Sequence, residues 1–246
     1  MKHFDRFLMR LALWVMLGLV LSASASAQNS TPWPQVPLPP RANVQWIADD
    51  MKVDGIPMRV MRFDSQTSRE EVAAYYTAHW SGGYPTKPSV TTSGNTTVVG
   101  QAHGPYYMTV KVREEPHQHS SGWIAVSQML GNKVELAAGG LPIPPGAKIM
   151  SVVESRDPGK WCRQLVISYE GSVDNAINFY EAALNGAGWE QIQKTWSAPP
   201  GVGPRAALGV YQRDQSQLAI SVTQAKGQRT SIMATLVTND TVAQAQ

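Results

Sequence analysis

Leu218, Ile220 and Val222 alternate with Ala219, Ser221 and Thr223, the period-two pattern of a strand with one buried face. Most of the chain after residue 40 reads this way. Strands are predicted at 58–63 and 162–167, each preceded by another around 44–48 and 148–154. Further strands are predicted at 96–102, 106–113 and 123–130, and at 190–196, 208–213, 218–224 and 231–237, with Lys226-Gly227 as the last hairpin turn. Two segments follow a helical period instead. Val72, Tyr75, Tyr76 and His79 share one helix face, as do Ala176, Phe179, Tyr180 and Ala183. Ser68 and Ser172 stand where N-caps belong. Ser68-x-x-Glu71 makes a capping box, which Asn175 leaves incomplete in the second case. Gly82-Gly83 and Gly186-Ala187-Gly188 end the helices, and an aromatic, Tyr84 or Trp189, follows each.

The order of elements occurs twice. Pro37-Leu38-Pro39-Pro40-Arg41-Ala42 returns as Pro142-Ile143-Pro144-Pro145-Gly146-Ala147, an offset of 105. The helix start at Ser68 returns at Ser172, an offset of 104. Two segments in register imply an internal repeat. The expected fold is α+β: two tandem similar modules, each an antiparallel sheet covered by one helix. The expected boundaries are a signal peptide at 1–27, an N-terminal linker at 28–35, module 1 at 36–131, a linker at 132–140, module 2 at 141–238 and a flexible tail at 239–246.

The passage from proline-rich entry through strand to helix, with Phe179-Tyr180 and then Gly188-Trp189, resembles uncharacterised exported bacterial proteins. They are built of small α+β modules in which a helix with a Phe-Tyr pair is followed by Gly-Trp. The resemblance covers roughly the first half of each copy. Copy one departs from it with Tyr75-Tyr76 and Gly83-Tyr84. It implies an envelope location and this fold type, and carries no catalytic residue with it.

The N-terminus reads as an export signal. Lys2, Arg6 and Arg10 precede an uncharged apolar run over 11–21, and Ala25-Ser26-Ala27 fits a cleavage site after Ala27. The run falls short of the about 20 apolar residues a membrane span needs, so the mature chain is expected in the periplasm or secreted, and not membrane-spanning. The formal net charge is +3. Cleavage removes three basic residues and one acidic one, leaving 18 Lys+Arg against 17 Asp+Glu. No global charge then draws the protein to nucleic acid. Cys162 is the single cysteine, which excludes an intramolecular disulfide and a cysteine-based zinc site.

No nucleophile elbow, phosphate loop, dinucleotide fingerprint or HExxH motif is present. Arg59 and Arg163 align in the repeat and share strand parity with apolar neighbours. They read either as ion pairs to the helix starts, with Glu70 and Asp174 as partners, or as anion-binding arginines, one per module. Trp46 and Trp161 lie near strand ends and read either as core and rim packing or as contact residues. His117 and His119, with His103 as a third candidate, read either as a solvated hairpin tip with Pro116 and Ser120-Ser121-Gly122 or as ligands for a divalent transition metal, since alternate imidazoles on an extended chain can share one ion.

The function expected from these features is that of a non-enzymatic periplasmic binding or accessory protein. Its partner is a protein or cell-wall component of the envelope. The alternative is a metal-binding protein or enzyme using His117 and His119 in a cleft between modules.

Overall fold

A computed structural model describes residues 32–82, 86–132, 134–197, 205–224 and 229–239. The signal segment, the tail beyond residue 239 and the Lys226-Gly227 turn lie outside the described residues. The described residues from Trp33 to Asn239 fall in one compact unit.

The elements run β1 (Ala42–Val53), β2 (Ile56–Ser65), α1 (Arg69–Ser81), β3 (Ser89–Ser93), β4 (Thr96–His103), β5 (Tyr106–Glu115) and β6 (His119–Gln128). They continue as β7 (Lys148–Asp157), β8 (Lys160–Tyr169), α2 (Val173–Gly186), β9 (Glu190–Trp196), β10 (Arg205–Arg213), β11 (Ser216–Gln224) and β12 (Thr230–Asn239). A short 3-10 turn, Pro116–Gln118, joins β5 to β6.

These strands correct the expected fold class. They do not form two separate sheets. They join in one 12-stranded sheet of order β3-β4-β5-β6-β2-β1-β7-β8-β12-β11-β10-β9, every pairing antiparallel, and the class is mainly β. The physical reason lies in β1 and β7. Periodicity marks a strand but not its neighbours, and each of these two is an inner strand. Met51 pairs with Ser155, Lys52 with Glu154 and Val53 with Val153, so neither presents a free edge at that end.

The sheet's two flanks are traversed in the same order, outward strand then inward return. The core is nevertheless in two parts. Phe63, Val72, Tyr76, Trp80, Met108, Val110 and Ile124 pack together beneath α1. Leu165, Ile167, Ile177, Tyr180, Leu184, Tyr211, Leu218 and Ile220 pack together beneath α2. Helix starts follow the sequence signals. The Ser68 hydroxyl caps Glu71 N–H within a complete capping box, and the Ser172 hydroxyl accepts from Asn175 N–H.

Strand alternation leaves the opposite sheet face bare. In β2, Phe63 points to the helix side and is fully buried, so Arg62 and Asp64 point away from it. In β6, Ile124 and Val126 are buried, which turns Trp123, Ala125 and Ser127 to the other face. Gly122 pairs with Phe63, and a Cβ at this glycine would lie 2.1 Å from the Lys111 carbonyl and 2.7 Å from the Phe63 ring. Only glycine fits there.

Candidate functional site

The open face of the first half carries a cross-strand row of distinctive residues. Arg62 on β2 pairs with Trp123 on β6, and Trp123 pairs with Lys111 on β5. The next row holds Asp64, Ser121, Arg113 and Thr96. Arg62, Thr96, Lys111, Arg113, Ser121 and Trp123 line a shallow depression of about 430 Å³.

The Trp123 side chain is 52% exposed. Lys111 Nζ lies 5.5 Å from its ring centroid, and no carboxylate among the described residues pairs with Lys111. The two arginines are tethered. Arg62 lies 3.2 Å from Asp64 and Arg113 lies 2.5 Å from Glu115. The Ser121 hydroxyl donates to Glu115 at 2.6 Å. This bond and then the Arg113 guanidinium hold the Glu115 carboxyl below its ordinary range. Three cations therefore face two carboxylates around one exposed indole. Equivalent rows in the second half hold Val166, Met233, Ser221 and Leu208, without charge.

A second depression lies further along the same face. Met58 and Ser127 form a cross-strand pair on it, four residues along each strand from the Arg62–Trp123 pair. Ile56, Met58, Met129, Leu130, Val134 and Leu136 give it a mostly apolar lining, with a volume of about 560 Å³. Met129 and Leu130 are exposed.

The sequence candidates fall elsewhere. Arg59 lies over the Trp33 ring at 4.9 Å and donates from Nε to the Asp49 carbonyl at 3.1 Å. Arg163 is nearly buried, 2.5 Å from Glu154, and donates to the Ala137 carbonyl. Neither meets the partner named for it. Glu70 pairs with Arg69, and Asp174 with Arg205 at 2.5 Å. Each arginine instead touches the segment that enters its own half. Trp33 in turn stacks on Tyr106 at 5.0 Å. Glu154 and the entry segment hold Arg163, which leaves its guanidinium little freedom to meet a ligand.

Trp46 is exposed on β1, paired with Met61. Trp161 packs partly against the second core and lines a depression of about 290 Å³ at the β1–β7 junction, with Asp50, Lys52, Glu154 and Arg156. Trp46 is not part of that lining. His117 lies within the β5–β6 turn and His119 opens β6; both are exposed, and His117 has φ 61°. His103 pairs with Tyr106 at the other end of β5. That is about 30 Å away at roughly 3.3 Å per residue. Among the described residues no three His, Cys, Asp or Glu side chains gather to hold a metal.

No protein-family model and no curated protein matches the chain. Among solved structures it is similar to the immunity protein TplEi of T6SS from Pseudomonas aeruginosa, complexed with "L" peptide. Identity there is 12%, over 81% of this chain and 82% of that one, at a TM-score of 0.28. The apo structure of TplEi gives 14%, 82% and 84%, at 0.29. A Tle4-Tli4 complex gives 13%, 81% and 81%, at 0.28. At such TM-scores the likenesses carry no argument about this chain.

The open-face residues escaped the sequence reading for a reason. Arg59 and Arg163 stand out in the sequence because they share parity with apolar residues. Arg62, Lys111 and Arg113 have the parity expected of solvent-facing positions. What marks them is their coincidence across three strands, and register is needed to see it. Among the described residues no helix is long and apolar enough to cross a membrane.

Proposed function

We propose that the protein is an exported, non-enzymatic binding protein whose open sheet face in the first half takes a protein partner of the bacterial envelope. The observation that carries this is the row Arg62–Trp123–Lys111 on an uncovered sheet. Tryptophan and arginine are the residues most often found at the energetic centre of protein interfaces. An indole half open to water, with a lysine over its ring, loses little and gains apolar burial when a partner covers it. The depression is shallow, which suits a macromolecular surface more than an engulfed small molecule. The export signal at 1–27 supports a periplasmic or secreted setting.

The test uses the mature chain, residues 28–246, as bait on solubilised envelope proteins. Trp123→Ala and Arg62→Ala baits run beside it. A protein retained by the native chain and lost by both variants, with their unfolding midpoints unchanged, supports the proposal. A set of retained proteins indifferent to both substitutions contradicts it.

A further inference from the structure

We infer that the partner presents a segment with an acidic side chain and a large apolar side chain about 13 Å apart, the first seated at Arg62, Lys111 and Arg113, the second between Met58, Met129 and Leu130. The inference rests on the protein-binding reading above and specifies its ligand.

The two depressions lie on one face of the same strand pair. β2 and β6 stay in unbroken register from Met58↔Ser127 to Ser65↔Ser120. Residues 58, 60, 62 and 64 of β2 therefore share a side, as do 121, 123, 125 and 127 of β6. Four residues separate Met58 from Arg62, which is about 13 Å at roughly 3.3 Å per residue. Between them the face is low. Val60 pairs with Ala125, and Ala125 with Thr109. Small side chains there let a chain lie flat along the strands, while the ends rise as anchors.

The ends differ in chemistry. The first is cationic. Lys111 lies beside the indole and has no carboxylate partner among the described residues, and Arg62 and Arg113 share their carboxylates with solvent. An incoming carboxylate meets three positive groups beside two negative ones, exposed Asp64 and half-buried Glu115, and charge-assisted hydrogen bonds to guanidinium are directional. The second end is apolar and rich in methionine, a side chain that adapts to varied apolar shapes. A ligand that is acidic throughout leaves the apolar end unfilled, and one that is apolar throughout leaves the cations unmatched. An extended segment places the two anchors four residues apart. A helical one places them about eight or nine apart, at about 1.5 Å per residue.

The test is selection of short random peptides displayed on phage against the intact mature chain. Synthetic copies of the winners are then measured by fluorescence anisotropy against native, Trp123→Ala, Lys111→Glu, Lys111→Arg and Leu130→Asp proteins. The substituted positions are exposed, and unfolding midpoints confirm that the variants stay folded. The expected winners carry Asp or Glu at one of those spacings from Leu, Met or Phe. Lys111→Glu and Leu130→Asp should each weaken them by about 30-fold, the mark of an interface anchor, while Lys111→Arg retains binding. Winners that need Trp123 but lack this pair, or ignore Lys111→Glu and Leu130→Asp, overturn the inference and leave the binding reading standing. Winners that all ignore Trp123→Ala overturn both.

Discussion

The Asp54 carboxylate accepts a hydrogen bond from the Val152 amide at 2.8 Å, across the seam between the two halves of the sheet. The same oxygen accepts from the Ser151 hydroxyl at 2.8 Å, and Asp54 N–H donates to the Val152 carbonyl at 2.7 Å. Asp54 sits at the tip of the β1–β2 hairpin with φ 53°, a conformation that aspartate tolerates better than most residues. The tip of one hairpin thus extends the short β1–β7 ladder. The corresponding turn in the second half is Pro158-Gly159, whose proline has no N–H to donate.

Replacing Asp54 by Ala strips Ser151 and Val152 of their acceptor. The expected loss is about 1–3 kcal/mol in denaturant unfolding, with Asp54→Asn losing less because an amide oxygen still accepts. An unchanged midpoint for Asp54→Ala would show that the seam is held by other contacts.

Arg163→Ala should destabilise the protein more than Arg59→Ala. Arg163 is only 12% exposed and answers both Glu154 and the Ala137 carbonyl. Its removal leaves the half-buried Glu154 without its ion-pair partner, at a cost of about 2–4 kcal/mol, near the range for breaking a buried pair. Arg59 gives up one hydrogen bond and a ring contact, about 1–2 kcal/mol. Arg163→Lys should not rescue, because an ammonium lacks the fork that reaches both acceptors. Thermal unfolding of the three variants ranks them.

Tyr76 and Tyr180 make a matched comparison. Each is fully buried on its helix, and burial pushes each phenol above its ordinary pKa. The Tyr76 hydroxyl donates to the Pro37 carbonyl at 2.7 Å, whereas the Tyr180 hydroxyl has no partner among the described residues. Tyr76→Phe should cost about 1 kcal/mol. Tyr180→Phe should be neutral or stabilising, since it removes a buried polar group that gains nothing. Equal losses in denaturant unfolding would contradict this.

Acid affects the open face through Glu115. Its carboxyl is held low, first by Ser121 and then by Arg113, so the favourable contribution is present above the unfolded-state pKa and lost as pH falls through the lower folded value. A carboxyl carbon titration by NMR should place Glu115 below the ordinary Glu value of about 4.3. Ser121→Ala should raise the midpoint. A midpoint at or above the ordinary value in the native chain would contradict the geometry.

Much of the secondary structure was legible. Ser68 and Ser172 announced both helices, and the alternation at Leu218, Ile220 and Val222 marked β11. The sheet's continuity was not. The β1–β7 seam rests on three paired positions and on Asp54, none of which departs from an ordinary hairpin in sequence. β3 also passed unnoticed, because Ser89–Ser93 is exposed throughout and has no apolar alternation to reveal it. Arg62, Trp123 and Lys111 stand 61 and 12 residues apart in sequence, and only register makes them neighbours.

The open face of the first half, and not that of the second, is the surface proposed to meet a protein. Thr109 and Ala219 occupy matching rows of the two open faces, so a photo-crosslinking amino acid can be placed at either in the exported chain. Irradiation of intact cells should yield a discrete protein adduct from position 109, abolished by adding Trp123→Ala, and none from position 219. No adduct at 109, or the same adducts from both positions, would contradict the account.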